Sequence, residues 1–353
     1  MNTSNWKFRI TDKNGVVITT LPDASDRKVS RVLNKPGEAS LSYDMDAFFD
    51  ICSNIGQSMI NVVGPGRHVL EVFRGDLKYF AGPILPYNRR LSEKEGTVDI
   101  KAMGWQWLLN KRHAGLDETR SFTSTQMGEI IATTIDETQD TPFGSFGFIR
   151  GVIETSQPIT IDYDRKKIAE LIEDFTTADG GVDFEITPDR LYNVYYPYKG
   201  FDKTESVIYQ YPGTIELIEE INDGSQLVNY AYGIGQGWGT QELIAVRQNI
   251  SSQVSFWRLE EIFPYKDIGN ATFLGDIVQQ KIDERAAVVP TLKIKVKANE
   301  ATPDISLVAP GDFITVRVKD RTWVEDRTLR VFEIHIGIND EDMESVNLVV
   351  GLI

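Results

Sequence analysis

Apolar and polar side chains alternate in short runs through the N-terminal part of the chain, the pattern of strands with one wet face. Trp6, Phe8 and Ile10 alternate with Lys7 and Arg9, and Asn14-Gly15 then precedes Val16 and Ile18. Asn-Gly accepts the positive φ angles of a tight turn, so these runs predict a β-hairpin. Ala39, Leu41 and Tyr43 alternate with Ser40 and Ser42. Leu70 and Val72 lead into Arg74-Gly75-Asp76, and Leu77, Tyr79 and Ala81 leave it. Val98, Ile100 and Ala102 form another such run, which enters Gly104-Trp105-Gln106-Trp107-Leu108-Leu109, where the period turns helical. Short antiparallel strands at this spacing predict a barrel or sandwich over residues 1–112.

The period changes over residues 113–212. Thr123 and Gln126 have the spacing of a capping box, and Met127, Ile130, Ile131, Thr134 and Ile135 follow at helical intervals. A second helix is expected to start near Asp164, with Ile168, Leu171, Ile172 and Phe175 on one face and Gly180-Gly181 at its end. Val182, Phe184 and Ile186 alternate up to a Pro188-Asp189 turn, and the returning strand carries Tyr192, Tyr195 and Tyr196. This section reads as a small α+β unit.

Strands resume over residues 213–353. Val228, Tyr230 and Tyr232 enter the glycine-rich Gly233-Ile234-Gly235-Gln236-Gly237-Trp238-Gly239, and Leu243 and Ala245 leave it. One inserted helix carries Leu274, Ile277, Val278, Lys281, Ile282 and Arg285 on its stripe. Leu292, Ile294 and Val296 alternate again, as do Ile314, Val316 and Val318. Ile334, Ile336 and Ile338 and then Val346, Leu348, Val350 and Leu352 complete the pattern. The fold expected is mainly β with an α+β middle section: a β domain at each end and a helical piece between.

Composition narrows the function. With 353 residues, 41% hydrophobic and 25% charged, the chain has material for two or three cores. Its formal charge of −15 repels phosphate, which argues against stable nucleic-acid binding and for a soluble acidic surface. Cys52 is the only cysteine, so neither an internal disulfide nor a thiolate metal cluster is available. It falls among Met45, Phe48 and Phe49, where a free thiol packs as a small core residue. The opening MNTSNWKFRI lacks the basic-then-apolar pattern of a secretion signal, and no run reaches the ~18 apolar residues of a membrane span. A protein made in a reducing cytoplasm, without membrane insertion, is expected.

No motif assembles a reaction centre. Gly233 to Gly239 is followed by an alternating strand, whereas a phosphate loop needs a helix whose N-terminus faces the anion. Arg74-Gly75-Asp76 has turn chemistry. His68, His113 and His335 lack partners at metal-ligand spacing. Asn339-Asp340-Glu341-Asp342-Met343-Glu344 is acidic, but lacks the glycine of a calcium loop and reads as a solvated hairpin tip. Gly144-Ser145-Phe146-Gly147 is one residue short of a nucleophile elbow. Asp162 and Asp164 are a carboxylate pair of the kind glycosidases use, though chance supplies such pairs among 52 acidic residues. The expectation is no catalytic, cofactor or metal residue.

Four stretches carry a family resemblance. Leu21-Pro22-Asp23-Ala24 with Leu33-Asn34-Lys35-Pro36-Gly37-Glu38-Ala39 is the first. The second is Gly64-Pro65-Gly66-Arg67, Phe73-Arg74 and Phe80-Ala81-Gly82-Pro83-Ile84. Gly233-x-Gly235-x-Gly237 with Leu243 is the third, and Ala309-Pro310-Gly311-Asp312-Phe313 with Arg330-Val331 and Ile334 the fourth. In this order they resemble the tail-hub, or minor tail, proteins of long-tailed phages. Those are similar in fold to the baseplate hub of contractile phages and to the N-terminal part of tail-associated lysins.

The resemblance implies two tube-like β-barrel domains joined by a small helical portion, and a homotrimer forming a pseudo-sixfold ring at the tail tip. It also implies a distal tail protein, a tape measure protein and fibre or receptor-binding proteins as neighbours, with DNA passing through the lumen. The location implied is the virion, after assembly in the bacterial cytoplasm. Larger relatives carry C-terminal fibre or peptidoglycan-degrading extensions. Since this sequence stops at Ile353 directly after its last predicted strand, their lytic activity is not carried over. Two other readings stand beside this one. The tyrosine-rich stretch Tyr192 to Phe201 suits a carbohydrate-binding receptor module, and a cell-wall glycan hydrolase is the enzymatic alternative.

Overall fold

The structure, a computed structural model, describes residues 6–352 apart from 23, 94, 117, 143, 179, 267 and 298–300. Residues 1–5 of the opening stretch, Asp23 of the first signature and Ile353 lie outside the described residues.

The N-terminal alternation folds as β1 (Trp6–Asp12), β2 (Val17–Leu21), β3 (Ser25–Val32) and β4 (Glu38–Asp44). Helices α1 (Met45–Asn54) and α2 (Met59–Val63) follow, then β5 (His68–Arg74), β6 (Leu77–Leu91) and β7 (Gly96–Met103). Trp6, Phe8 and Ile10 point into the core, while Lys7 and Arg9 stay wetter. At the predicted hairpin the Asp12 carboxylate accepts the N–H groups of Asn14 and Val16, and Gly15 takes φ 89°. Those N–H groups hold the Asp12 carboxyl below its ordinary value. Cys52 is buried on α1, as its apolar neighbours predict.

The middle section holds β8 (His113–Ala114), β9 (Arg120–Gln126), α3 (Met127–Gln139), β10 (Ile149–Ile153) and β11 (Pro158–Tyr163). Next come β12 (Lys166–Lys167), α4 (Ile168–Thr176), β13 (Asp183–Ile186) and β14 (Leu191–Tyr195). The apolar stripes of α3 and α4 meet in a separate core with Phe184, Tyr192 and Val194. Two local expectations fail. Thr123 lies inside β9, and the N–H of Met127 at the start of α3 donates to Ser156 Oγ at 3.0 Å, so no capping box forms. Helix α4 starts at Ile168 rather than near Asp164, because β11 and the short β12 occupy the intervening chain.

The last section opens with β15 (Ile208–Tyr211) and β16 (Ile215–Ile221). An inserted unit follows: β17 (Tyr230–Ile234), β18 (Ile244–Gln248), α5 (Ile250–Ser255), β19 (Glu260–Pro264) and α6 (Ala271–Arg285). Strands β20 (Thr291–Val296), β21 (Phe313–Lys319), β22 (Val324–Ile338) and β23 (Glu344–Gly351) complete the chain. The glycine-rich stretch belongs to the insert, whose sheet runs β18-β17-β19 and has its own core under α6. A Cβ on Gly233 would stand 2.3 Å from Val278 Cγ2, so this glycine lets the helix close on the sheet.

The two end sections share one order of neighbouring strands, although β1 runs antiparallel to β5 and β15 parallel to β21. The order is β3-β4-β7-β6-β5-β1 in the first and β16-β20-β23-β22-β21-β15 in the second. Each contains a 15-residue strand, β6 or β22, that changes partner midway and carries a register shift there. The chain is mainly β, and β3 pairs antiparallel with β22, fusing both paths into a 13-stranded sheet over one continuous core. Val29, Ile334 and Ile336 are buried along that seam. Side chains of this size stabilise a fold by ~1.5–3 kcal/mol each when fully buried.

Candidate functional site: the junctions between the units

The buried polar groups of this molecule gather where its units meet. Asn34, in the left-handed conformation after β3 (φ 60°), donates to Asp183 Oδ1 at 2.7 Å and accepts the N–H of Phe184 at 2.9 Å. The other Asp183 oxygen accepts from the Arg330 guanidinium and, at 2.6 Å, from the Lys199 N–H. Arg330 also donates to the carbonyls of Gly311 and Lys199. One carboxylate therefore ties the first end section, the middle section and the second end section together. Both members of this ion pair are buried, and a charge in that position is tolerated only when fully hydrogen-bonded.

Asp312 does similar work nearby. Its carboxylate, 1% exposed, accepts the N–H groups of Phe201 and Ala309 and the Lys203 ammonium at 2.7 Å. Gly200 and Gly311 pack backbone to backbone here, both at positive φ.

A third contact clamps the far side. Arg74 pairs with Glu344 at 2.7 Å and Asp304 at 2.8 Å, and Trp6 Nε1 donates to the same Glu344. Burial alone would favour loss of the Arg74 proton. The hydrogen bonds Arg74 donates to Glu344 and Asp304 outweigh burial and hold the guanidinium above its ordinary value. Asp304 in turn is held at about 2, chiefly by its hydrogen bond with Arg74. Arg27 reaches Asp342 at 2.6 Å. The acidic loop 339–344 is thus not simply a solvated tip: two of its carboxylates are docked on arginines of the first end section.

The other sequence candidates do not converge. Gly75 forms the tip of the β5–β6 hairpin at φ 61°, so Arg74-Gly75-Asp76 is a turn whose arginine serves the clamp. His68 Nδ1 accepts the Gly64 N–H at 2.9 Å, and burial pushes its pKa down. His335 pairs with Glu333 on the wet face of β22, and His113 is the exposed residue of β8. Ser145 Oγ accepts the N–H of Gly147 within a turn. Asp162 lies on the outer side of β11, and the exposed Asp164 faces Arg165 at 3.9 Å. Tyr192 is a core residue, Tyr195 donates to Glu185, and Tyr198 packs edge-on against Phe313. Of this aromatic stretch Phe201 is the most exposed, at 74%. Among the described residues no group of three or more His, Cys, Asp or Glu is placed to hold a metal. Among the described residues no helix is long and apolar enough to cross a membrane.

This architecture is a multi-unit β fold whose buried ion pairs lie where the units meet. No protein-family profile and no curated protein matches the sequence. Solved structures do match the fold. The prophage MuSo2 43 kDa tail protein from Shewanella oneidensis aligns with TM-score 0.61 at 13% identity, over 98% of both chains. Prophage tail protein gp18 from Listeria monocytogenes aligns with TM-score 0.57 at 12% identity, over 98% of this chain and 94% of that one. The E. coli c3393 protein is a type VI secretion component with structural similarity to T4 tail proteins gp27 and gp5. It aligns with TM-score 0.53 at 8% identity, over 98% and 77% of the two chains. The chain has the fold of phage tail proteins, as its turn motifs suggest.

The junction residues were missed as such in the sequence. Asn34, Gly311, Asp312 and Arg330 stand in the motifs that carry the resemblance, but as turn and strand residues. Asp183, Arg27 and Asp304 gave no signal, since their partners lie far away in the chain.

Proposed function

We propose that this chain is a non-enzymatic structural subunit of a phage tail-tip hub. Three copies close into a pseudo-sixfold ring that joins the tail tube and distal tail protein to the tip. Residues 1–112, 113–212 and 213–353 act as its building units, the last including the inserted α/β unit. The tape measure protein and fibre or receptor-binding proteins are its other neighbours, and the virion tail tip is its location. One observation carries this reading: the same strand path occurs twice in one chain, within one continuous sheet. A subunit that is internally double turns threefold symmetry into a ring of six equivalent units. The formal charge of −15 per copy fits a lumen that repels DNA and lets it pass.

Light scattering of the purified chain, followed by electron microscopy of intact tails, tests the reading. A mass of three chains and a ring at the tail tip are expected. A monomer that binds isolated cell-wall sugar, or a single copy per tail, would overturn it in favour of a receptor module.

A further inference from the structure

The doubled strand path leaves one junction made and one unmade. Inside the chain, β3 of the first end section pairs with the distal half of β22 in the second. The counterpart of β3 is β16, and the counterpart of β22 is β6. Both β16 and the distal half of β6 have a neighbouring strand on one side only.

The register of the unmade junction can be read from the made one. Both long strands shift register by one residue at the same place: after Ile84 opposite Ala102 in β6, and after Val331 opposite Val350 in β22. Ala102 therefore matches Val350, and Ile100 matches Leu348. Tyr87, opposite Ile100, then matches Ile334, opposite Leu348. Two residues on, Arg89 matches Ile336 and Arg90 matches Gly337. On the other side, Ile100 pairs with Leu41 and Leu348 with Ile294, so Ser40 matches Lys293. Lys28, opposite Ser40, then matches Glu219, opposite Lys293, and Val29 matches Glu220. In the chain Val29 faces Ile336 and Lys28 faces Gly337.

We propose that β16 of one copy pairs antiparallel with the distal half of β6 in a second copy, Glu220 opposite Arg89 and Glu219 opposite Arg90. This rests on the ring reading above and assigns its subunit contact. The transferred register brings Leu91 opposite Ile218 and Asn88 opposite Ile221. Charge is complementary at both ionic positions, one on each face of the paired strands. Arg89, Glu219 and Glu220 form no ion pair among the described residues, Arg90 reaches Asp99 of β7 at 2.6 Å from an exposed side chain, and Leu91 is 81% exposed. Like charges keep each edge from pairing with its own kind, since Arg would meet Arg and Glu would meet Glu. Each copy carries one edge of each sign, so contacts run head to tail, the kind of interface a closed ring requires.

Two sets of variants test this contact. Directly opposed residues in an antiparallel pair have Cα atoms ~4.5–5.5 Å apart, within disulfide reach. The one native thiol, Cys52, is buried. An oxidised chain carrying Asn88→Cys and Ile221→Cys is expected to give covalent dimers and trimers on a non-reducing gel. Asn88→Cys with Leu217→Cys, out of register, should give none. Arg89→Glu with Arg90→Glu should weaken association by ~10-fold or more. Adding Glu219→Arg and Glu220→Arg in the same chain should restore it. Circular dichroism checks that each variant folds. An unchanged trimer mass after charge reversal, with no covalent ladder, overturns this contact and leaves the ring standing. A wild-type chain that is monomeric in solution and single-copy in tails overturns the ring itself, and this contact with it.

Discussion

Asp183 and Arg330, 147 positions apart in the chain, meet in a buried ion pair where the three sections of the molecule touch. Asn34 and the Lys199 N–H complete the ring of donors around the carboxylate. The pair links the middle section, which has its own core, to the two end sections, which share another.

Removing one partner of this pair should cost far more than removing both. Asp183→Ala leaves the Arg330 guanidinium buried without its counter-charge, a loss of ~3–5 kcal/mol. Asp183→Leu combined with Arg330→Met removes the uncompensated charge and should recover much of it. Chemical denaturation of the three proteins checks this. A single variant within about 0.5 kcal/mol of wild type would take the pair out of the account.

Close backbone approach makes a second prediction. A Cβ on Gly82 would stand 1.8 Å from the Met103 carbonyl oxygen, which belongs to the backbone of β7 and cannot swing aside. Gly82→Ala must prise β6 from β7, at a cost of ~3 kcal/mol or more. Gly75, at φ 61° in the hairpin tip, has nothing within 4 Å of its Cβ position. Gly75→Asn should therefore be mild, because asparagine tolerates that conformation. Melting temperatures separate the two, and equal losses would refute the packing argument.

These contrasts show where the sequence was legible. Alternation placed β1, β4 and β7, because a period of two reports which face is dry whatever the partner strand. The stripe of α6 was legible for the same reason at helical period. The start of α4 was not, since the short pairing of β12 with β8 depends on a strand more than fifty residues earlier. Thr123 and Gln126 matched a cap by spacing, but pairing with β11 claimed that backbone first. Gly233 stood out only as part of a glycine-rich stretch, although its role is to admit Val278 of α6. Arg74 and Asp342 read as loop residues because ion partners 230 to 315 positions away leave no local trace.

The Arg74 clamp predicts acid sensitivity. Asp304, ordinarily near 3.8, is held at about 2 in the fold. As pH falls the unfolded chain binds this proton first, so the Asp304 contribution is complete above ~3.8 and fades towards pH ~2. Its side chain is 38% exposed, so solvent screening keeps the effect modest. The stability gap between wild type and Asp304→Asn should narrow between about pH 4 and pH 2. A gap that stays constant through that window would mean that Asp304 acts through packing alone.

His335 predicts the opposite slope at the seam between β3 and β22. Its pKa is raised above 6.5, chiefly by the hydrogen bond to Glu333 at 2.7 Å, with Glu38 assisting and burial and Lys293 opposing. A raised value means that the folded state holds the proton more tightly than the unfolded chain does. The stabilisation is therefore full below about pH 6.5 and is lost as pH rises through the folded value. Glu333 is correspondingly held below its ordinary value by the same contact. Both side chains are over a third exposed, so the contribution belongs with surface pairs, below ~1 kcal/mol. Thermal melts of wild type and His335→Gln across about pH 5.5 to 8.5 read it out. The two curves should converge at the alkaline end, because neutral histidine has no charge left to lose. Curves that run parallel instead would place the seam's strength in the burial of Val29 and Ile336, with no share for the ion pair beside them.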